Sequence, residues 1–307
     1  MNNIICIAGP TASGKTALAV ELAKEFNGEV VSCDSMYVYK RMNIGTAKPT
    51  LEEMDGIPHH MIDVAEAYED FSVSRYCEMA TPIVDDILAR GKTAIIAGGT
   101  GLYMDALIRG NNFAPFPSTG VREQLEQEPI ADVFTRLQEV DPDSAARLHL
   151  ADKKRIIRAM EVYLETGETI TAHNKKTQAL PPRYNPVWFG LSDENRQDLY
   201  DRIDRRVELM VQQGLVDEIK SLLQRGIPEK ATAMQAIGYK EFLQVLHAET
   251  DIAGAVAQVQ QASRKYAKRQ LTWFRRNSAM HWLLRTPQYG AEEILMEARR
   301  ILLNSDK

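Results

Sequence analysis

Long hydrophobic runs and a basic N-terminal segment are both lacking in this sequence of 307 residues. The apolar runs at residues 4–8 and 94–97 are far shorter than the roughly 18 residues that a membrane span needs. The first lysine or arginine is Lys15, so the N-terminus does not have the basic start of a signal peptide. We therefore expect a cytoplasmic chain with no membrane partner.

A cysteine pair and a dominant charge are also lacking. Cys6, Cys33 and Cys77 are not spaced as CxxC, which argues against a zinc site and favours reduced, structural thiols. Lys and Arg number 37, Asp and Glu 42, and the net charge is −5. This balance excludes a protein that coats nucleic acid over its whole surface, but it allows a local basic patch. A hydrophobic fraction of 44% excludes a mainly disordered chain.

The first 97 residues alternate apolar strands with amphipathic helices. Strands are predicted at residues 3–8, 29–33 and 93–97, and helices at residues 15–26 and 74–89. Because strands joined by helices in this order pair in parallel, the sequence predicts an α/β fold in which helices cover a parallel sheet.

The pattern becomes helical after residue 110. Residues 111–120 are loop-like, and from 121 to 165 the spacing is helical with no clear strand. Residues 187–191 form one more apolar run, which we interpret as a strand of the same sheet. We therefore predict a discontinuous core domain, residues 1–115 and 185–307, interrupted by a helical insertion domain, residues 116–184. From residue 199 the spacing predicts helix nearly to the end.

A phosphate-binding loop is predicted between the first strand and the first helix. The segment fits G-x-x-x-x-G-K-[ST] and lies in the context that this motif requires. Its backbone N–H groups converge on phosphate oxygens at a helix N-terminus. The lysine would neutralise a phosphate, and the threonine hydroxyl would reach Mg²⁺. The candidate phosphate-binding residues are Gly9, Pro10, Thr11, Ala12, Ser13, Gly14, Lys15 and Thr16.

Two further candidates follow predicted strands. Asp34, followed by Ser35, comes directly after the second strand, where α/β enzymes bind ligands. It is a candidate general base, and a helix N-cap is an equally supported interpretation. Thr100 lies among glycines after the third strand. It is a candidate phosphate ligand, and a helix-capping turn is the alternative interpretation. The third strand has no carboxylate for Mg²⁺, which weakens an ATPase interpretation.

Two pairs of residues have more than one interpretation. His59 and His60 are adjacent, which favours structural hydrogen bonds over a metal site. Arg202 and Arg206 are four residues apart on a predicted helix, so they can face one anion. They can equally form surface ion pairs with the interleaved acidic residues Asp201, Asp204 and Glu208.

A basic, aromatic segment at residues 263–276 has no acidic residue. In a chain of net negative charge, this composition favours contacts with a phosphate backbone and stacked bases. A second basic cluster includes Arg155 and Arg158, in the predicted insertion. The alternative is a solvated helix face. The basic residues of the first segment are Arg264, Lys265, Lys268, Arg269, Arg275 and Arg276.

Together these motifs resemble the tRNA dimethylallyltransferases, also called isopentenyl-tRNA transferases. The matching segments occur in the order of that family and span nearly the whole chain. No Cys₂His₂ extension follows, so the resemblance is to the bacterial members. The segments are GPTASGKT, DSMYVY, IGTAKP, His59-His60, GGTGLY, KRIIRAMEVYLETG, RIDRRV with GLVDE, and AKRQLTWFRR.

The resemblance implies a P-loop NTPase-like fold and transfer of a dimethylallyl group from dimethylallyl diphosphate to N6 of adenosine 37, next to the tRNA anticodon. It implies Mg²⁺ as cofactor, and a monomer that binds the anticodon stem-loop. The implied catalytic residues are Asp34, Thr100 and Arg206, with Thr16 on the metal. The implied tRNA-binding residues are Asp34, Ser35, Met36, Tyr37, Thr100, Arg122, Arg155, Arg158, Lys268 and Arg269.

Two other functions remain open from the residues alone. One is a P-loop kinase that acts on a small molecule, which would need a carboxylate near Mg²⁺ and an arginine-rich lid. The other is a non-catalytic RNA-binding NTPase, which would not need Asp34 beside the phosphate loop.

Overall fold

The computed structural model describes residues 3–110, 119–286 and 288–304. The chain forms two compact units, Met1–Gly110 with Arg183–Lys307, and Asn111–Pro182. The first boundary predicted from the sequence, after residue 115, lies outside the described residues. The second was predicted after residue 184, and the first unit resumes at Arg183.

The first unit is built on one parallel sheet of six strands, counted over the described residues, in the order β3-β2-β4-β1-β5-β6. The central strands are buried at nearly every residue, as expected of a parallel sheet covered on both faces. The strands are β1 Ile4–Ala8, β2 Gly28–Ser32, β3 His59–His60, β4 Thr93–Gly98, β5 Val187–Asp193 and β6 Met280–Arg285.

Helices of the first unit cover this sheet. α1 and α14 pack on one face, against the side chains of Ile5, Ile7 and Phe189. α3 packs on β2 and β4, where the Tyr76 hydroxyl donates to Ser32 O at 2.9 Å. The helices are α1 Lys15–Glu25, α2 Leu51–Met54, α3 Val73–Ala89, α4 Gly101–Arg109, α10 Arg196–Gln212, α11 Leu215–Gln224, α12 Tyr239–Leu246, α13 Ile252–Phe274 and α14 Ala291–Asn304.

The described part of the second unit consists of helices joined by turns and contains no strand, as predicted for the insertion. Its own apolar core includes Leu125, Val133, Leu137, Ile156 and Met160. The helices are α5 Val121–Gln127, α6 Ile130–Val140, α7 Pro142–Ala145, α8 Lys153–Thr166 and α9 Ile170–Ala179. Among the described residues of both units, none of the helices combines the length and the apolar composition that a membrane span requires.

The parallel sheet, the helices that flank it and the strands predicted at its centre are confirmed. The prediction of continuous helix after residue 199 is wrong, because β6 forms the sheet edge beside β5. Along β6 the buried residues are Met280 and Leu283, a spacing of three that resembles a helix rather than a strand. The sequence prediction also missed β3, which has only two residues.

Gly98, the last residue of β4, lies against the end of β2. A Cβ atom at this position would lie 2.0 Å from Cys33 O, so no side chain fits without moving the backbone. We expect Gly98→Ala to lower the free energy of unfolding by about 1–3 kcal/mol, because overpacking forces the two strands apart. Urea denaturation of the purified variant measures this change.

Gly290→Ala is the matched control for Gly98→Ala. Its added Cβ would meet only a Glu293 carboxylate oxygen at 3.4 Å, an ordinary contact with the end of a side chain. Equal unfolding midpoints for the two variants would contradict the argument from crowding.

Candidate active site

The predicted phosphate loop joins β1 to α1. Ala12 and Gly14 have φ angles of 62° and 90°, left-handed conformations that turn successive N–H groups toward one point. Lys15 Nζ donates to Pro10 O at 2.7 Å, so its side chain folds back over the loop. The Ser13 hydroxyl is buried, and it has no hydrogen-bond partner in the described part of the chain. The loop therefore presents a cation and an unpaired hydroxyl to an anion.

Lys15 has an unusual pKa. Burial lowers the pKa of the ammonium group to about 8, while the charge of Asp34 raises it and that of Arg206 lowers it. A partly desolvated cation of this kind gains most when an anion binds beside it, since the anion replaces the lost hydration.

Asp34 lies in the turn after β2 and is half-buried. Its Oδ1 accepts the backbone N–H of Met36 at 2.8 Å, so it caps a turn and not a helix. Burial raises the pKa of this carboxyl, against the Met36 hydrogen bond and the charge of Lys15. The prediction of a helix N-cap is wrong, and a carboxylate with raised basicity remains beside the phosphate loop.

Thr100 joins β4 to the segment after β2. Its Oγ1 accepts the Ser35 N–H at 3.0 Å, and its own N–H donates to Cys33 O at 3.1 Å. Thr100 is the N-cap position of α4, but its side chain does not cap that helix. It does not line the cavity itself, and it fixes Ser35, which does.

Arg206 and Tyr37 meet at one carbonyl. Arg206 Nη2 and the Tyr37 hydroxyl donate to Ala47 O at 3.1 Å and 2.8 Å. Arg206 Nη1 donates to Thr11 Oγ1 at 3.3 Å. Burial raises the pKa of Tyr37 to about 12, so its hydroxyl stays a donor at neutral pH. Arg206 therefore reaches the phosphate loop from α10.

Arg202, predicted as a possible partner of Arg206, is held elsewhere. Its Nη2 donates to both carboxylate oxygens of Asp193, each at 2.7 Å, and its Nε donates to Ala12 O at 3.1 Å. The interleaved acids do not pair with these arginines: Asp204, for example, pairs with Arg264 on α13. Of the two arginines, only Arg206 lines the cavity.

Gln270, on α13, was not singled out from the sequence. Its side chain is buried and bridges two strand ends, since Oε1 accepts the Thr11 N–H at 3.0 Å and Nε2 donates to Gly99 O at 2.9 Å. The signal that could have found it is an uncharged residue inside a strongly basic segment. Gln270 fixes α13 to the phosphate loop.

Arg285, at the end of β6, is a second residue missed from the sequence, because β6 itself was missed. A guanidinium nitrogen lies 3.0 Å from where a Cβ of Gly14 would be. Its Nε is buried without a hydrogen-bond partner among the described residues. Burial lowers the pKa of Arg285, as does the charge of Arg202. It adds a third guanidinium at the phosphate loop.

The basic residues of the segment 263–276, most of which lies in α13, do not share one environment. Arg264 pairs with Asp204, and Arg276 lies over the Trp273 ring at 4.1 Å. Arg269 lies over the Tyr266 ring at 5.4 Å and lines the cavity. Lys268 is exposed. The interpretation as a uniform solvated face therefore does not describe this helix.

The remaining basic residues predicted to bind tRNA belong to the second unit. In the second unit, Arg122 and Arg158 pair with Glu161 at 3.5 Å and 2.9 Å, and Arg155 is exposed.

The two histidines have structural partners, as the sequence favoured. His59 Nδ1 lies 2.8 Å from Ile57 O, and His60 Nε2 lies 2.8 Å from a Glu29 oxygen.

One cavity of about 1000 Å³ brings the predicted groups together within the first unit. Residues 11–16 of the phosphate loop, residues 34–37 and Arg206 line it, as do Tyr266 and Arg269 of α13. It has room for more than a diphosphate, so a base and an anion can occupy it together.

Comparison with known proteins gives one consistent match. The sequence model described as IPP transferase matches residues 37–277. A tRNA dimethylallyltransferase of Caldanaerobacter subterraneus subsp. tengcongensis is 47% identical over 300 residues, covering 96% of this chain and 95% of the relative. One of Acetivibrio thermocellus is 43% identical over 307 residues, covering 98% of each chain. The chain belongs to the IPP transferase family.

Solved structures agree with this family. A full-length tRNA isopentenylpyrophosphate transferase from Bacillus halodurans has a TM-score of 0.75 and 40% identity, covering 99% of this chain and 96% of that one. A eukaryotic dimethylallyltransferase, solved in crystallographic snapshots acting on tRNA, has a TM-score of 0.84 and 29% identity. It covers all of this chain and 79% of that one. The resemblance read from the sequence is confirmed, and so is the P-loop NTPase-like fold.

The protein oxygen atoms at the cavity can hold a magnesium ion only if a bound ligand supplies the rest of its coordination shell. No cluster of three His, Cys, Asp or Glu side chains capable of holding a metal occurs in the described ranges. The cavity offers the Thr16 hydroxyl and the Asp34 carboxylate. Mg²⁺ commonly takes one or two protein oxygens and completes its shell with phosphate oxygens and water. An IPP transferase site of this kind therefore suits Mg²⁺ that arrives with a diphosphate.

The pKa of Lys15 gives a test of anion binding. Because it is about 8 in the free protein and a bound anion raises it, binding above pH 8 must take up a proton. We expect the affinity for inorganic diphosphate to fall up to tenfold per pH unit above pH 8. Titration calorimetry at pH 7, 8 and 9 measures the affinity and the proton uptake.

Lys15→Arg is the control, because a guanidinium stays protonated over this range. The ionisation of diphosphate itself affects both proteins equally, so the slopes are compared and not the absolute affinities. Identical slopes for the two proteins would contradict the assignment of this proton to Lys15.

Proposed function

We propose that this chain transfers a dimethylallyl group from dimethylallyl diphosphate to N6 of adenosine 37 of tRNA, giving N6-dimethylallyladenosine and diphosphate. The observation that carries the proposal is the position of the half-buried Asp34 carboxylate at the same cavity as Lys15 and Arg206. A base for an amine and cations for a leaving diphosphate are what this transfer needs. The curated relatives carry the name tRNA dimethylallyltransferase.

Asp34 acts as the general base. The exocyclic amine of adenine is a poor nucleophile, because its lone pair is delocalised into the ring. As N6 forms its bond to the first carbon of the allyl group, the Asp34 carboxylate accepts an N6 proton. Its raised pKa makes it a stronger base than an exposed aspartate, and a positioned base is worth about 10²–10⁴ in rate.

The phosphate loop holds the leaving group. The carbon–oxygen bond breaks and the diphosphate departs with the electron pair. Lys15, the loop N–H groups and Arg206 stabilise the charge that develops there. Mg²⁺, when bound through Thr16, supplies further positive charge to the diphosphate oxygens. The arrangement explains a phosphate loop in a chain whose β4 has no metal-binding carboxylate.

The acceptor base has to leave its stack in the anticodon loop to reach Asp34, as in other enzymes that act on a base. Residues 34–37 receive the base at the cavity, and Thr100 holds Ser35 of this segment in place. Phosphate contacts come from Lys268 and Arg269 of α13, and from Arg122, Arg155 and Arg158 of the second unit. The active form is a monomer, since one chain supplies every group assigned to the chemistry. The proposed location is the cytoplasm.

Incubation with unmodified tRNA and radiolabelled dimethylallyl diphosphate tests the function. Label should enter tRNA that carries adenosine 37 and not tRNA in which that position is guanosine. ATP hydrolysis is followed in a parallel reaction. ATP consumption in proportion to product, or no labelling of tRNA, would favour the kinase or RNA-binding NTPase interpretation.

The base is tested with Asp34→Asn, which keeps an oxygen for the Met36 N–H and loses the proton acceptor. We expect transfer to slow by about 10²–10⁴, while tRNA binding by filter retention changes little. Asp105→Asn is the control, since it alters another half-buried carboxyl whose pKa is raised by burial and which does not line the cavity. Near-normal turnover of Asp34→Asn would remove Asp34 from the mechanism.

The phosphate contacts of α13 are tested with Lys268→Gln. Because Lys268 is exposed and does not line the cavity, we expect a higher KM for tRNA and an unchanged rate at saturating tRNA. The slope of log affinity for tRNA against log salt concentration should become shallower by roughly 0.7–0.9. Lys230→Gln, an exposed lysine after α11, is the control. An unchanged salt slope for Lys268→Gln would mean that this lysine only solvates the helix.

A further inference from the structure

The carboxylate of Glu218, on α11, accepts four hydrogen bonds from residues outside its own helix. Oε2 accepts the backbone N–H groups of Asn43 and Ile44, each at 2.8 Å. Oε1 accepts the N–H of Gly45 at 3.1 Å and the hydroxyl of Tyr239 at 2.7 Å. A carboxylate has about four acceptor sites, and here all are used. Three consecutive backbone donors on one side chain fix the backbone of that segment firmly.

The segment held in this way, residues 43–48, turns back on itself. Ala47 N–H donates to Ile44 O, and Lys48 N–H donates to Asn43 O, each at 2.9 Å. The turn leaves Ala47 O facing the cavity side, where Arg206 and Tyr37 donate to it. A displacement of Ile44 would therefore move Ala47 O.

The position of Ala47 O decides where the Arg206 guanidinium lies. One terminal nitrogen of Arg206 is bound to this carbonyl, and the other reaches Thr11 of the phosphate loop. Glu218 does not line the cavity, whereas residues 43–48 and Arg206 do. An effect of Glu218 on the reaction must therefore pass through the segment that it holds.

We propose that Glu218 is a positioning residue for the transfer, which holds residues 43–48 so that Ala47 O directs Arg206 toward the departing diphosphate. The inference rests on the function proposed above. A glutamine would not replace the carboxylate, because its NH₂ group would face the N–H donors of the segment and at least one of them would lose its acceptor.

Kinetics of Glu218→Gln provide the first part of the test. Arg206 stabilises the negative charge that grows on the diphosphate as it leaves. We therefore expect kcat to fall about 10–100-fold, with an unchanged KM for tRNA. Asp217→Asn is the matched control, since it removes a neighbouring, exposed carboxylate on the same helix and should keep wild-type kinetics. A lowered melting temperature with an unchanged kcat would overturn the proposal.

A double-mutant cycle with Arg206→Ala separates positioning from a general structural effect. Glu218→Gln should cost less than about threefold in kcat when Arg206 is already absent. The same cycle is measured for binding of inorganic diphosphate, which does not depend on the transfer reaction. Additive losses in both cycles would overturn the proposal.

The binding cycle keeps the two inferences distinguishable. If the wild-type protein failed to modify tRNA while the diphosphate cycle remained non-additive, the proposed function would be wrong and the role of Glu218 would stand.

If Glu218→Gln did not fold, Tyr239→Phe would replace it in the cycle, since it removes one of the four hydrogen bonds and keeps the buried ring. A smaller loss of diphosphate affinity that depends on Arg206 would support the proposal. No loss, or an additive one, would overturn it.

Discussion

The backbone hydrogen bonds that hold β4 between β1 and β2 set the geometry on which the site depends. β4 pairs in parallel with β1 from Ile4 to Ala8 and with β2 from Gly28 to Ser32. The pairing continues past the strands, since Cys33 N–H donates to Ala97 O and Thr100 N–H donates to Cys33 O. The phosphate loop, Asp34 and Thr100 thus leave the sheet at one edge. Parallel strands place all their carboxyl ends together, which is why α/β enzymes bind ligands there.

A second constraint comes from helices that belong to the other end of the chain. Gln270 of α13 accepts the Thr11 N–H and donates to Gly99 O. Arg206 of α10 donates to the Thr11 hydroxyl. The two helices pack together through Leu199, Ile203 and Ala267. The helix with the predicted tRNA contacts is therefore hydrogen-bonded to the loop that would hold the diphosphate. The same helix can serve recognition on its exposed side and loop geometry on its buried side.

The electrostatics of the cavity follow from the position of the half-buried Asp34 carboxylate among several half-buried cations. Burial raises the pKa of Asp34 and lowers the pKa of Lys15, while each charge opposes that effect on the other. An arriving diphosphate would relieve the repulsion between Lys15 and Arg206. The Asp34 carboxylate would remain beside the phosphate loop as a base for an amine. An anion and a base are therefore accommodated by the same set of residues.

The sequence by itself determined the local features: the phosphate loop, the strand–helix alternation, Asp34 after its strand and the basic run. Each depends on residues close together in the chain, where spacing and residue type decide the conformation. The resemblance across the chain also fixed the family. Only the tertiary structure decided which distant groups meet. Thr11 and Gln270 are separated by 259 positions, and Asn43 and Glu218 by 175. The sequence did not reveal edge strand β6, because its buried apolar residues are three positions apart. Arg285, at the end of that strand, was missed for the same reason. Contacts of this kind arise from packing, which no local spacing records.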